Sequence, residues 1–349
     1  MKQPSCRQLS PVEIFIPNLC RWALMVTITA GLAWSVNGQE AGQPAPPTNW
    51  YKGNLHTHSL WSDGNDFPDM ITRWYATRGY HFLAMTDHNV LSNSEKWMDL
   101  DRIAARGGAT ALEKYTEAMG SEWVETREVV VKTNRKKEDG STEEIEVTKK
   151  QVRLKKLDEY RSKFEQPGKF LLMTGEEISD SVNGLPVHMN ATNLASVIRP
   201  AGGKTVREAM TNNLRQAIEQ SKREKRKILV HLNHPNFGWA ITAEDLAYVT
   251  LERYFEVFNG HPSVRQLGDE SHPSIERLWD IANTIRLDRL ESAPLMGLGT
   301  DDSHYYHGRP GSQPGRGWIM VRASELTADA LLTAIERGDF YASSGVQNI

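Results

Sequence analysis

The chain has 349 residues, a nearly balanced charge (formal net charge -3) and two cysteines. That length allows one large domain or two ordinary ones, and without a long basic tract the electrostatic footprint of a nucleic-acid binder is missing. Both cysteines, Cys6 and Cys20, fall in an N-terminal segment that reads as removable. Thiol chemistry and disulfides are thereby excluded from the remainder.

That segment has a basic n-region (Lys2, Arg7, Arg21) and an apolar run from Trp22 to Trp34. Small residues then offer cleavage near Gly38, with Val36 at the minus-three position. The run is shorter than the ~20 residues a spanning helix needs. Residues 1–38 are therefore predicted to be a signal peptide, and the protein to be secreted or periplasmic. A retained N-terminal membrane anchor is the alternative; after signal removal no stable span is expected. Residues 39–49, rich in Gln and Pro, predict a flexible leader, and the fold is expected within 50–349.

The first folded element is a short apolar strand running into Gly53-Asn54-Leu55-His56-Thr57-His58-Ser59-Leu60-Trp61-Ser62-Asp63-Gly64. In an extended chain, residues two apart share a face, so His56 and His58 aim two imidazoles at one point. Asp63 follows in a turn, which adds a hard oxygen donor to two nitrogen donors. Taken alone, the pair also fits a surface strand that happens to carry two histidines.

A helical pattern from Phe67 to Gly79 comes next, with Met70, Trp74 and Tyr75 on one face. His81 to Thr86 is an apolar strand ending in Asp87-His88. Strand, helix, strand implies a parallel pair with a right-handed crossover, and places Asp87 and His88 beside the first histidines. Residues 91–168 break this rhythm. Glu125–Thr133 and Glu143–Leu154 are charged, β-rich runs around Lys136-Lys137-Glu138-Asp139-Gly140-Ser141, which predicts an inserted β-hairpin with solvated faces. A lid over an active site is the alternative for this insertion.

The apolar strands resume at Lys169–Ser179, with Glu176 and Glu177, then at Pro186–Ala191, with His188. Thr205–Lys222 is amphipathic, with Val206, Met210 and Leu214 at helical spacing. Ile228–Pro235 carries His231 and His234, and Tyr254–His261 carries Glu256 and His261. A helix is expected near Ser274–Leu290. Leu295–Thr300 runs into Asp301-Asp302-Ser303-His304, and Arg309 and Arg316 lie in the Gly/Pro-rich loop beyond. Gly317–Val321 reads as a last strand-like run and Leu326–Arg337 as a last helix, before a further strand-like segment near Gly338–Gly345. Most of the eleven histidines thus cluster at predicted strand ends rather than scattering over helices and loops. Imidazoles mixed with carboxylates, without Cys, suit zinc, manganese or iron. There are more donors than one ion can use, so two or three divalent ions are expected.

At this point the residues resemble the polymerase-and-histidinol-phosphatase (PHP) family. His56-Thr57-His58-Ser59 with Ser62-Asp63-Gly64, Thr86-Asp87-His88, Gly175-Glu176-Glu177-Ile178-Ser179, His188, Asn233-His234-Pro235 and Asp302-Ser303-His304 look like its successive motifs, in order, from about Lys52 to His304. The resemblance implies an α/β fold, a distorted (β/α)7 TIM-like barrel, and a trinuclear metal site. It implies one ion held by His56, His58, Glu177 and Asp302, and a second by Glu177, His188 and His234. The third would fall to Asp63, His88 and His304.

Glu176, Asp301 and His231 are competing assignments that the motif register disfavours. Asp87 is expected to orient a ligand. Glu256 and His261 have no counterpart and are left between substrate contact and structure.

The activity implied is hydrolysis of a phosphomonoester or phosphodiester by metal-activated water, with a small phosphorylated substrate. A member of the ligand set (His88, His304 or Asp302) is expected to assist the leaving group. Arg309, Arg316 and His261 are candidate substrate contacts. The alternatives are a metal-dependent amide or ester hydrolase on the same barrel, and a non-catalytic metal-binding module. Oligomeric state is not readable.

Overall fold

The computed structural model describes residues 48–308 and 310–345. The predicted signal peptide with its two cysteines, most of the leader, and Arg309 lie outside the described residues. β1 (Asn49–Asn54) enters the His56–Asp63 turn, and α1 (Pro68–Ala76) returns the chain to β2 (Phe82–Met85). The next segment leaves the main sheet: β3 (Lys96–Asp99), α2 (Leu100–Gly107), α3 (Ala111–Met119), β4 (Thr126–Lys136), β5 (Thr142–Leu154) and α4 (Leu157–Phe164). The main sheet resumes with β6 (Leu171–Val182), β7 (Leu185–Thr192), α5 (Val206–Glu224), β8 (Leu229–Leu232), α6 (Ala243–Tyr248), β9 (Tyr254–Asn259), α7 (Ile275–Asp288) and β10 (Met296–Thr300). β11 (Trp318–Ala323), α8 (Ala328–Glu336) and β12 (Phe340–Ser343) complete it.

β1, β2 and β6 pair in parallel, as do β8, β9 and β10. An isolated parallel bridge between Thr57 and Ser303 joins the extensions of β1 and β10. The sheet, ordered β10-β9-β8-β7-β6-β2-β1-β11-β12, is therefore a nearly closed barrel of the distorted kind that the resemblance implies. Its short strands β2 (FLAM) and β8 (LVHL) are buried at every position, as expected for strands covered on both faces. Outside the sheet, Met210 and Leu214 of α5 pack with Val187, Met189 and Ala191 of β7, so the predicted apolar stripe does face the sheet.

One point of connectivity differs from the expectation. β7 runs antiparallel to β6 and β8. Asn183 and Gly184 both have positive φ (52° and 82°), the geometry of a two-residue hairpin turn, so the chain reverses at once instead of crossing over. Glu177 consequently lies within β6, and His188 within β7, rather than at a strand end. They meet because the hairpin register sets Glu177 opposite Asn190, with His188 opposite Ser179.

The 91–168 segment forms a separate three-stranded sheet in the order β3-β5-β4. Its base packs on the turn after β1, where Trp61 Nε1 donates to Lys155 O (3.1 Å) and Arg106 donates to Ser62 O (2.5 Å). Its far end is an exposed two-stranded arm, most of whose residues face solvent. No residue of β4 or β5 lines the cavity at the histidines.

Candidate metal centre

His56 and His58 follow β1 without a break. Between them, Thr57 N donates to Thr86 Oγ1 (2.8 Å) and the chain bridges to Ser303. Both rings therefore turn to one side, with centroids 5.0 Å apart. Asp87 organises the turn that follows. Its carboxylate accepts from Ser59 N (2.8 Å), Ser59 Oγ (2.7 Å), Ser62 N (3.0 Å) and Ser62 Oγ (2.6 Å). Asp87 thus shapes the loop that carries Asp63, and the Ser62 hydroxyl it holds lies 3.4 Å from His58 Nδ1 and 3.3 Å from Asp63 Oδ1. A Cβ at Gly64 would lie 2.5 Å from His58 O, so only glycine lets this loop fold so tightly behind the histidine.

Glu177 is the hub. Its Oε1 lies 3.0 Å from His188 Nδ1, 3.3 Å from His234 Nε2 and 3.6 Å from His56 Nε2. Its Oε2 lies 2.8 Å from His88 Nδ1 and 3.4 Å from His58 Nε2. Asp302 Oδ1 is 3.3 Å from His56 Nε2, 3.2 Å from His58 Nε2 and 3.5 Å from His304 Nδ1. Asp63 closes the outer side, 3.4 Å from both His88 Nε2 and His304 Nε2. Asp302 and His234 hold left-handed backbone (φ 47° and 22°), a strain that collects at functional sites.

Three overlapping donor groups have the spacing of an ion site: His58, Asp63, His88 and His304; His56, His58 and Glu177; and His88, Glu177 and His188. The partition differs from the one the resemblance implies. His88 also joins Glu177 and His188, His58 also joins the Asp63 group, and His234 and Asp302 fall in none of the three groups.

Whether cations fit here can be judged from unsatisfied atoms. His56 Nε2, His58 Nε2 and Glu177 Oε2 are buried and make no hydrogen bond of acceptable geometry. Buried polar atoms seldom go without a partner, and these three converge on one space. Neutral imidazole and carboxylate are the donors such ions take, so the residues fit the group.

The electrostatics agree. Burial pushes His58 down to about 4, with the neighbouring His304 adding to the effect, so this ring is neutral as a ligand must be. Burial opposes the charge on Glu177 and Asp302, but the surrounding histidines outweigh it and hold both well below the ordinary carboxyl range. Those acids in turn outweigh burial at His56, which is raised well above its usual value. At His88 burial is overcome by Glu177 and Asp63, and the pKa rises to about 11. The acids around these rings thus favour positive charge at this place, which cations would supply.

The competing assignments separate clearly. Glu176 points away, accepts from Ile198 N, and is pushed by burial up to about 7. Asp301 accepts the backbone N–H groups of Gly315 (2.9 Å), Arg316 (2.6 Å) and Gly317 (2.8 Å) together with Tyr75 Oη (2.7 Å), so it fastens the loop after His304. His231 is fully buried beneath the cluster, 3.5 Å from Glu256 Oε1, and burial lowers its pKa. Arg316 donates through Nη1 to Gly260 O (2.8 Å) and Gly311 O (3.1 Å), which makes it a loop brace.

His261 lines the same cavity of about 150 Å³ as Asp63, His88, Glu177, His188, His234, Asp302 and His304. Phe237 lines it too, and sequence reasoning passed over it because an apolar residue after His234-Pro235 carries no chemical signal. Asn233 and Asn259 were also missed: Asn233 Nδ2 donates to Glu177 Oε1 (2.9 Å), and Asn259 Nδ2 to Asp302 Oδ2 (3.1 Å).

No protein-family model matches the chain, and no curated protein matches it in sequence at a significant level. Among solved structures it is similar to a two-domain protein from Bacteroides vulgatus described as containing a predicted PHP-like metal-dependent phosphoesterase. That pair shares 18% identity with a TM-score of 0.44, over 85% of this chain and 65% of the other, so this chain spans less than two thirds of that protein's length. It is also similar to PsfC from Pseudomonas syringae (11% identity, TM-score 0.39, 82% and 88% covered). A Bifidobacterium adolescentis protein described as a candidate metal-dependent phosphoesterase shares 14% identity, with a TM-score of 0.35 and 78% and 92% covered.

Proposed function

We propose that this chain is a PHP-type metal-dependent phosphoesterase that hydrolyses a small phosphorylated substrate at the Glu177 cluster. The observation that carries the reading is the convergence of His56 Nε2, His58 Nε2 and Glu177 Oε2, buried and without a hydrogen bond of acceptable geometry, beside further His and Asp donors, around a cavity of about 150 Å³. Divalent ions held by these donors would supply Lewis-acid activation of water and offset charge on phosphoryl oxygens. The chain's own part is to hold that geometry and to meet the leaving group. His88 and His304 face Asp63 and belong to donor groups, and Asp302 is surrounded by ligand histidines. These three are engaged in the cluster, which leaves His261 to contact the leaving-group oxygen.

His261 stands at the rim and belongs to no donor group. Its Nδ1 accepts from Ser263 N (3.2 Å), so the neutral ring carries its proton on Nε2. Burial together with the His304, His234 and His56 rings outweighs Asp302 and lowers its pKa, which favours that neutral form. His261 Nε2–H is thus the hydrogen-bond donor we assign to the leaving-group oxygen, which takes its proton from solvent. The predicted signal peptide extends the proposal to a secreted or periplasmic enzyme. A mature N-terminus near residue 39, read by terminal sequencing of exported protein, supports that extension.

The central test is hydrolysis by metal-reconstituted protein across phosphomonoesters and phosphodiesters. Chelator-sensitive turnover with competitive inhibition by phosphate or vanadate is expected. Absence of turnover across the panel overturns the proposal.

A further inference from the structure

Glu256 has no exposed surface and lies one layer beneath the cluster, on β9. Every acceptor position of its carboxylate is taken. Oε1 accepts from His56 Nδ1 (2.6 Å) and Thr300 Oγ1 (2.7 Å); Oε2 accepts from His234 N (2.8 Å) and Asn259 Nδ2 (2.7 Å). A carboxylate offers about four lone-pair directions, so none is left for an ion. Glu177 is the opposite case, with its buried Oε2 making no hydrogen bond of acceptable geometry.

The four partners are not arbitrary. One is the ring of His56. One is the backbone amide of His234, at a position with left-handed φ that needs holding. A third, Asn259, uses the same amide nitrogen to reach Asp302 Oδ2 at 3.1 Å. A single buried side chain therefore touches, directly or through one residue, donors on both sides of Glu177. We infer that Glu256 is a positioning residue that fixes His56 as an Nε2 donor and ties it to His234 and Asp302, so that ion loading on both sides of Glu177 depends on this one carboxylate. The inference rests on the metal-centre reading above.

The physical reason is the tautomer. An ionised carboxylate can only accept, so His56 must place a proton on Nδ1 and leave its lone pair on Nε2, the atom that points into the cluster. The side chain of E256Q cannot reproduce this. Its amide has one accepting oxygen and one donating nitrogen, while both ends of the native carboxylate face donors. Either His56 meets an N–H and shifts its proton to Nε2, which blocks the lone pair, or the His234 amide and Asn259 lose their acceptor.

The test measures ion affinity by competition with a chromophoric chelator, using zinc or manganese and the full chain. E256Q is expected to bind about 10- to 100-fold more weakly, the usual cost of losing a partner behind a ligand histidine, with E256D recovering part of the loss. The second readout is the His56 ring in zinc-loaded 15N-histidine wild-type protein, assigned by the signal lost in H56Q. Long-range proton–nitrogen correlations should show the proton on Nδ1, a signature that a merely space-filling role for Glu256 would not require. E256Q loading ions as tightly as wild type overturns the inference, and so does a wild-type His56 protonated on Nε2 alone. If E256Q does not fold, the wild-type tautomer still decides. Wild-type protein that binds no ion at all overturns the metal-centre reading itself, an outcome distinct from equal loading by wild type and variant.

Discussion

Two regions of this molecule are dense in ionisable side chains, the cluster around Glu177 and the β4–β5 arm, and they handle charge in opposite ways. On the arm, Lys132 pairs with Glu144 at 2.8 Å, Lys137 with Glu143 at 3.3 Å, and Arg135 also with Glu143. Lys132 and Glu144 are 64% and 60% exposed, so water screens both and the pair contributes little. In the cluster, His56, His58 and Glu177 are shut away from water, and each keeps an atom without a hydrogen bond. The comparison teaches that charge density alone carries no functional information. Burial combined with unsatisfied, convergent donors does.

The sharpest way to break this contrast is to remove the hub. Glu177→Ala should cost about 10³-fold or more in kcat/KM, beyond the scale of losing one preorganised stabiliser, and strip bound ions. Elemental analysis beside steady-state kinetics checks both, and retained turnover would mean that the cluster is not the site. Asp63→Ala comes next. It should remove one ion and about 10²-fold of turnover while the His56/His58 ion stays bound, and a fall to zero ions per chain would refute that split.

His261→Ala should lower kcat by about 10-fold for an alkyl phosphate but less for p-nitrophenyl phosphate, whose leaving oxygen carries less charge and needs less hydrogen-bond support. Equal losses on both substrates would remove His261 from the leaving-group contact.

Two smaller effects sharpen the difference between buried and exposed acids. Burial pushes Glu252 up to about 8, so the folded state holds its proton where the unfolded chain has lost it. Its contribution is intact below the unfolded value near 4.5 and is lost as pH rises through about 8. Glu125, at the arm's base, is held down at about 2 by hydrogen bonds from Arg153 and Lys155. Its contribution is present above 4.5 and lost as pH falls toward 2. Urea unfolding between pH 5 and 8.5 should show stability declining in wild type and a flatter profile in Glu252→Gln; an unchanged slope would count against the buried acid. Smallest of all, Lys132→Ala on the arm should shift stability by less than about 1 kcal/mol and leave turnover alone.

Much of this was legible in the linear chain because its signals are local. His56 and His58 two residues apart on an extended segment, Asp87-His88 after an apolar run, and Asp302-x-His304 each state which side chains share a face. Period and composition likewise marked α5, α7, α8 and the inserted hairpin. The reversal at β7 was readable in principle, since Asn183-Gly184 is a hairpin signal, but no turn was assigned between the two strands. Phe237, Asn233 and Asn259 were not legible, because an apolar or amide side chain acquires a role only from what stands opposite it.

By itself, the sequence determined the donor chemistry, the alternation of strands and helices, and the insertion of a charged hairpin, since these follow from residue type and spacing. Among near neighbours the motif register already favoured one of each pair, and the tertiary structure supplied the physical ground. Glu176 and Glu177, Asp301 and Asp302, and His231 and His234 differ by one to three positions in the chain, yet one of each pair faces the cluster and the other a backbone or a buried layer. It also turned Glu256 from an unplaced acid into the acceptor behind His56. The physical reason is the same throughout. Strand alternation tells which residues share a face, but which face looks into the barrel, and what waits there, is settled only when distant strands close around it.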